Sequence, residues 1–138
     1  MRVSIIYLTA NKGAALDAVA KAMAKAIEGQ GHEVELLGNA KGQLQRLTIS
    51  DYVIIGVEPV GIRGKLPPRV AEILAQAGSL AAKRSMAFVL KRGPFRNKTL
   101  PRLMKAMEAQ GMNVNYAEVV SGPAEAAIAA KEAPIERS

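Results

Sequence analysis

The sequence predicts a three-layer, doubly wound α/β fold built on a five-stranded parallel sheet. Three observations predict it. Short apolar runs alternate with amphipathic stretches five times along 138 residues, the rhythm that a parallel sheet with crossover helices requires. The run Tyr52-Val53-Ile54-Ile55-Gly56-Val57 is apolar on both faces, as a central parallel strand is. The length suits a single domain, residues 1–138, with a core of useful size.

Each element follows from local pattern. Residues 3–8 are short, apolar and rich in β-branched side chains, and Asn11 and Gly13 bound them, so they read as a buried strand. Leu16, Val19, Ala20, Met23, Ala26 and Ile27 recur at three- and four-residue steps, the apolar face of a helix that Gly29 and Gly31 end. Residues 32–37 alternate, with Val34 and Leu36 against Glu33 and Glu35, and read as the second strand. Leu44 and Leu47 suggest a short helix. After the central strand at 52–57, residues 69–77 carry Val70, Ile73, Leu74 and Ala77 on one helical face, and Pro67-Pro68 suits the entry to that helix. Residues 85–90 form a fourth strand. Residues 100–110 form a helix with Leu100, Leu103, Met104 and Met107 aligned, and residues 114–120 form a fifth strand. Gly122-Pro123 starts a last, alanine-rich helix that Pro134 stops early.

Composition narrows the function classes. Apolar residues are 49% of the chain and charged residues 22%, which excludes a disordered chain. With no cysteine, disulfide scaffolds, thiolate metal sites and thiol nucleophiles are excluded. The single histidine, His32, cannot build a multi-histidine metal site, and no metal is expected. No apolar run is long enough to span a bilayer and the first residues do not resemble a signal peptide, so the expected compartment is the cytoplasm and no membrane partner is expected.

In open doubly wound sheets, ligands sit beyond the carboxyl ends of the strands, where strand order switches. That rule nominates three loops, residues 9–15, 58–66 and 91–99. The net charge of +7 is unevenly spread around them. Residues 59–105 hold eleven basic side chains and one acidic one (Glu72), a local charge of +10, which leaves −3 for the remainder. Arg63, Lys65, Lys91, Arg92 and Arg96 fall in or beside the loops, Lys98 follows closely, and Lys12 adds a cation from the first. Together they predict a positive rim suited to an anion, since arginine contacts phosphate in bidentate fashion. Nucleic acid is a weaker expectation, because Phe95 is the one aromatic among these cations and no nucleic-acid motif occurs.

Other chemistry lacks its signatures. No dinucleotide fingerprint, ATP phosphate loop or Gly-x-Ser-x-Gly elbow occurs, and no acidic pair follows the first strand. Asp51 precedes the third strand rather than following it. His32 reads as a turn or edge residue. Glu58, the one carboxylate at the rim, reads as an arginine partner before it reads as a general base. No residue carries a catalytic assignment.

The whole chain resembles the flavodoxin family. The residues that carry the likeness are 1–7 with the turn after them, Ile49-Ser50-Asp51-Tyr52-Val53-Ile54-Ile55-Gly56 at the third strand, residues 83–90 at the fourth, and residues 111–120 running into Gly122-Pro123-Ala124-Glu125-Ala126. The resemblance implies a flavodoxin-like strand order of 2-1-3-4-5. It also implies FMN, held non-covalently by three elements, as an electron-transfer cofactor. The phosphate turn corresponds to residues 9–15, where Thr9, Asn11 and Gly13 retain the family's character and Lys12 brings charge in place of hydroxyls. The two ring-flanking loops correspond to residues 58–65, with Val60, Gly61 and Arg63 but no aromatic, and to residues 91–98, with Arg92, Phe95 and Arg96. Members of the family are acidic where this rim is basic.

Three readings follow. The first is a flavodoxin-like domain with a degenerate flavin site that binds an anionic, phosphate-bearing ligand or an acidic protein face on its basic rim. The second is a divergent FMN protein that transfers electrons, a carrier rather than an enzyme. The third is a scaffold that docks an acidic protein or nucleic acid. A short last helix that leaves surface uncovered would also favour a homodimer.

Overall fold

Alternating apolar runs and amphipathic stretches become alternating strands and helices in a computed structural model, which describes residues 1–8, 14–38, 46–59, 65–67, 69–76, 80–91 and 98–136. The order is β1 (Arg2–Leu8), α1 (Ala14–Glu28), β2 (Glu33–Gly38), α2 (Arg46–Ile49), β3 (Tyr52–Val57), α3 (Arg69–Gln76), β4 (Arg84–Leu90), α4 (Thr99–Glu108), β5 (Asn113–Val120) and α5 (Pro123–Glu132). Every strand pairing is parallel and the sheet order is β2-β1-β3-β4-β5. The order of winding reverses between β1 and β3, which makes that gap the switch point.

Two cores lie on the two sheet faces. Val3, Ile5, Ile54, Met86 and Phe88 face α1 and α5, which contribute Leu16, Met23, Ile27, Ala126 and Ala129. Ile6, Leu8, Val53, Ile55, Val57 and Val89 face the other way, onto Leu47 of α2, Val70, Ile73 and Leu74 of α3, and Leu103 and Met107 of α4. This is the two-residue alternation of a strand buried on both sides. Each fully buried aliphatic side chain contributes about 1.5–3 kcal/mol. α5 is alanine-rich and packs through Ala126, Ala129 and Ala130. Its end is decided by extended Ala133 (φ −62°, ψ 131°) just before Pro134.

Three local features modify the sequence expectation. β5 carries a bulge: Ser85 pairs with Val114 but Met86 pairs with Tyr116, so Asn115 is passed over. Its side chain turns to accept a 2.7 Å hydrogen bond from the buried Tyr52 phenol. A bulge on this edge strand also spoils it as a template for a foreign strand. At the opposite end of the sheet, His32 precedes β2, as an edge position should, yet the residue is only 6% exposed. Its Nδ1 lies 3.3 Å from the Met1 amino nitrogen and its Nε2 3.6 Å from Glu136 Oε1. His32 thus sits at the turn before the edge strand, and is also buried between Met1 and Glu136. Finally, Ala82 adopts φ 64°, the left-handed region unfavourable to a side chain, in the turn before β4.

Candidate functional site

The parallel register sets the rim. Leu8 lies opposite Val57, and Val57 opposite Val89, so β1, β3 and β4 end side by side. The segments 9–13, 60–64 and 92–97 leave from this one edge. Their described anchors are Leu8 and Ala14, Pro59 and Lys65, and Lys91 and Lys98. The nominated residues Thr9, Asn11, Lys12 and Gly13, then Val60, Gly61 and Arg63, then Arg92, Phe95 and Arg96 lie outside the described residues.

The anchors carry their own chemistry. Ala14 and Ala15 are exposed at the start of the 15-residue α1, whose first-turn N–H groups have no partner within the helix. Lys65, Lys91 and Lys98 are all exposed. The Lys91 N–H donates to the Val120 carbonyl at 2.8 Å, which ties the start of the third loop to the end of β5. Glu58 is buried, at 5% exposure, directly after β3, and its N–H donates to the Leu8 carbonyl at 3.3 Å. The arginines of the rim segments, Arg63, Arg92 and Arg96, lie outside the described residues, so its expected pairing with an arginine does too.

One rim feature escapes sequence reasoning. The Tyr7 phenol donates to Asp17 Oδ1 at 2.6 Å, and Asp17 Oδ2 lies 2.8 Å from Lys21 Nζ. Burial, helped by the hydrogen bond to Asp17, pushes the Tyr7 phenol up to about 12. The Lys21 ammonium, and then the Tyr7 hydroxyl, hold the Asp17 carboxyl below its ordinary value. The chain of three clamps the first turn of α1 onto the end of β1. It also occupies a carboxylate that would otherwise oppose an anion at that turn. The only sequence signal was an aspartate in a helix's first turn. Nothing linear marks a tyrosine ten residues earlier as its partner, because the contact exists only once α1 folds back on the sheet.

Among the described residues, no group of three or more His, Asp or Glu side chains could hold a metal ion. Nor is any helix among them long and apolar enough to cross a membrane.

A doubly wound sheet of this order, with three loops at its switch-point edge, defines the flavodoxin-like class of α/β proteins. Solved structures agree. Oxidised flavodoxin 1 from Bacillus cereus superposes with a TM-score of 0.78 at 15% identity, over 100% of both chains. Two-electron reduced flavodoxin from Megasphaera elsdenii superposes with a TM-score of 0.72 at 20% identity, over 95% of this chain and 99% of that one. The flavodiiron protein from Giardia intestinalis matches 98% of this chain with 34% of its own, with a TM-score of 0.73 at 15% identity. No protein-family model and no curated protein sequence matches the chain. The particular statement these findings allow is that the chain has a flavodoxin-like fold.

Proposed function

We propose that the chain binds an anionic, phosphate-bearing ligand at the carboxyl-terminal rim of its sheet, in a flavin-type site altered from the family's. The observation that supports this reading is that β1, β3 and β4 end on one edge, with the exposed start of α1 following β1 and the exposed Lys65, Lys91 and Lys98 flanking the chain segments that follow β3 and β4. Helix N–H groups and fixed cations are what a phosphate dianion needs. Thr9, Asn11, Lys12 and Gly13 would wrap the phosphate, and Arg63, Arg92 and Arg96 would neutralise it. An acidic protein face is the macromolecular form of the same chemistry. The cytoplasm is the compartment this reading assumes.

The full-length likeness to flavodoxins supports a second reading, FMN-based electron transfer. The described residues fit the phosphate end of FMN through the first turn of α1. The residues that would flank the ring, Val60, Gly61 and Phe95, lie outside the described ones. When bound, FMN would supply one- and two-electron redox chemistry. Cations around it would favour its anionic reduced form.

The experiment is a visible absorption spectrum of fresh protein, before and after FMN addition and dialysis, followed by calorimetry with inorganic phosphate. A flavin band that survives dialysis supports the second reading. Phosphate binding without a retained band supports the first. Neither signal would overturn both.

A further inference from the structure

Two helices carry stripes of opposite charge. On α5, Glu125, Ile128 and Glu132 are exposed at positions i, i+3 and i+7, one helical face. With Tyr116 and Glu118 of β5 they line a groove of about 120 Å3. The Tyr116 phenol lies between two of the carboxylates, 2.8 Å from Glu132 Oε2 and 3.4 Å from Glu118 Oε2, and organises them. Ile128 is 58% exposed, one of three large apolar side chains so exposed among the described residues. Lys131 is the exposed cation on α5 itself.

On α4 the pattern is reversed. Lys98, at the cap, with Arg102 and Lys105 are exposed at i, i+4 and i+7, beside exposed Pro101. Glu108 is the acidic residue at the far end. At 1.5 Å per residue both stripes run about 10 Å, so charges on one can match charges on the other. They cannot meet within one molecule, because α5 packs on one face of the sheet and α4 on the other.

We propose that the chain self-associates head to tail, the acidic α5–β5 groove of one copy receiving the cationic α4 stripe of a second. Ile128 then packs against the apolar surface beside Pro101, inside a ring of opposite charges. The contact is heterologous, so each added copy leaves one groove and one stripe open and the assembly grows with concentration. The overall charge of +7 opposes it, which makes the association weak and sensitive to salt.

Sedimentation velocity across protein concentrations, at low and high salt, tests this. The expected result is a faster-sedimenting species at low salt that disappears at high salt. The double variants E125K/E132K and R102E/K105E should each be monomeric at low salt, with circular dichroism showing that both are folded. Mixing the two should restore association, since each then offers what the other lacks. A wild-type chain that stays monomeric at low salt overturns the proposal, even if it binds polylysine, because the groove would then serve another protein. Association that survives in both variants, or a mixture that stays monomeric, overturns it as well.

Discussion

The ring of Phe88 on β4 lies over Gly56 on β3, in the space that a Cβ at position 56 would fill. The two residues are register partners, and Tyr7 lies on the other side of Gly56. An aromatic ring fully buried two residues from the end of β4 is thus accommodated by the absence of a side chain on its neighbour. Gly56→Ala should destabilise the protein by about 1–3 kcal/mol, the usual penalty for overpacking. Phe88→Leu should recover part of that loss in the double variant, giving a coupling measurable by urea denaturation. Additive effects would mean that the ring yields freely.

All three tyrosines, Tyr7, Tyr52 and Tyr116, should resist ionisation in the folded protein. Burial is the leading cause for each; Asp17 adds to it at Tyr7 and Glu132 at Tyr116, raising both from 10.0 to about 12, and Tyr52 is raised as well. A phenol whose folded-state value lies above its unfolded one adds stability that is complete below the unfolded value and is lost as pH rises through the folded one. Stability should therefore fall between pH 10 and about 12. Ultraviolet titration should show tyrosinate forming above the ordinary phenol value of 10.0 while the protein stays folded. A tyrosinate signal at the ordinary phenol value in folded protein would contradict the hydrogen bonds described. Asp17 acts in the opposite direction, and its contribution is lost as pH falls through its depressed value.

Tyr52→Phe should cost about 1 kcal/mol, the usual net worth of a hydrogen bond whose acceptor is half-buried. The acceptor is Asn115 Oδ1 at the bulge. Hydrogen exchange should accelerate around residues 113–117 ahead of the rest of the sheet. Uniform acceleration would mean that the bulge is held by something else.

The turn before β4 offers a test of backbone strain. Ala82 is at φ 64°, and its N–H donates to the Gly111 carbonyl at 2.7 Å. Ala82→Gly should be neutral or stabilising by up to about 1 kcal/mol, because relieved strain is set against a more flexible unfolded chain. Gly111→Ala should be destabilising, since Gly111 is at φ +81° and an added Cβ would sit 3.2 Å from Ala81 Cα. Thermal denaturation that ranked the two variants the other way would refute this reading of the turn.

Replacing Arg63, Arg92 and Arg96 together should abolish phosphate or FMN binding while leaving the fold intact, as circular dichroism would show, because arginine is a contact for phosphate and is seldom a core residue. Calorimetry with unchanged affinity would move the anion site elsewhere. Replacing Lys12 alone tests the phosphate turn.

The sequence by itself determined the element order and the parallel sheet. Tyr52–Val57 reads as a central strand because both its faces are apolar, and burial on both faces is what makes a strand central. The periodicity of Leu16, Val19, Met23 and Ile27 likewise specifies which side of α1 is buried. Such features are local, and the solvent alone sorts them. Tertiary structure decided what depends on two distant residues meeting: Phe88 over Gly56, Tyr7 on Asp17, Tyr52 on the bulged Asn115, and His32 between the chain ends. The candidate site divides in the same way. Its cations are written in the composition of residues 59–105, but the ends of β1, β3 and β4 share one edge only because those strands are neighbours. Hydrophobic periodicity records which face a residue turns inward, whereas hydrogen bonds and close approaches depend on register, which only the paired sheet supplies.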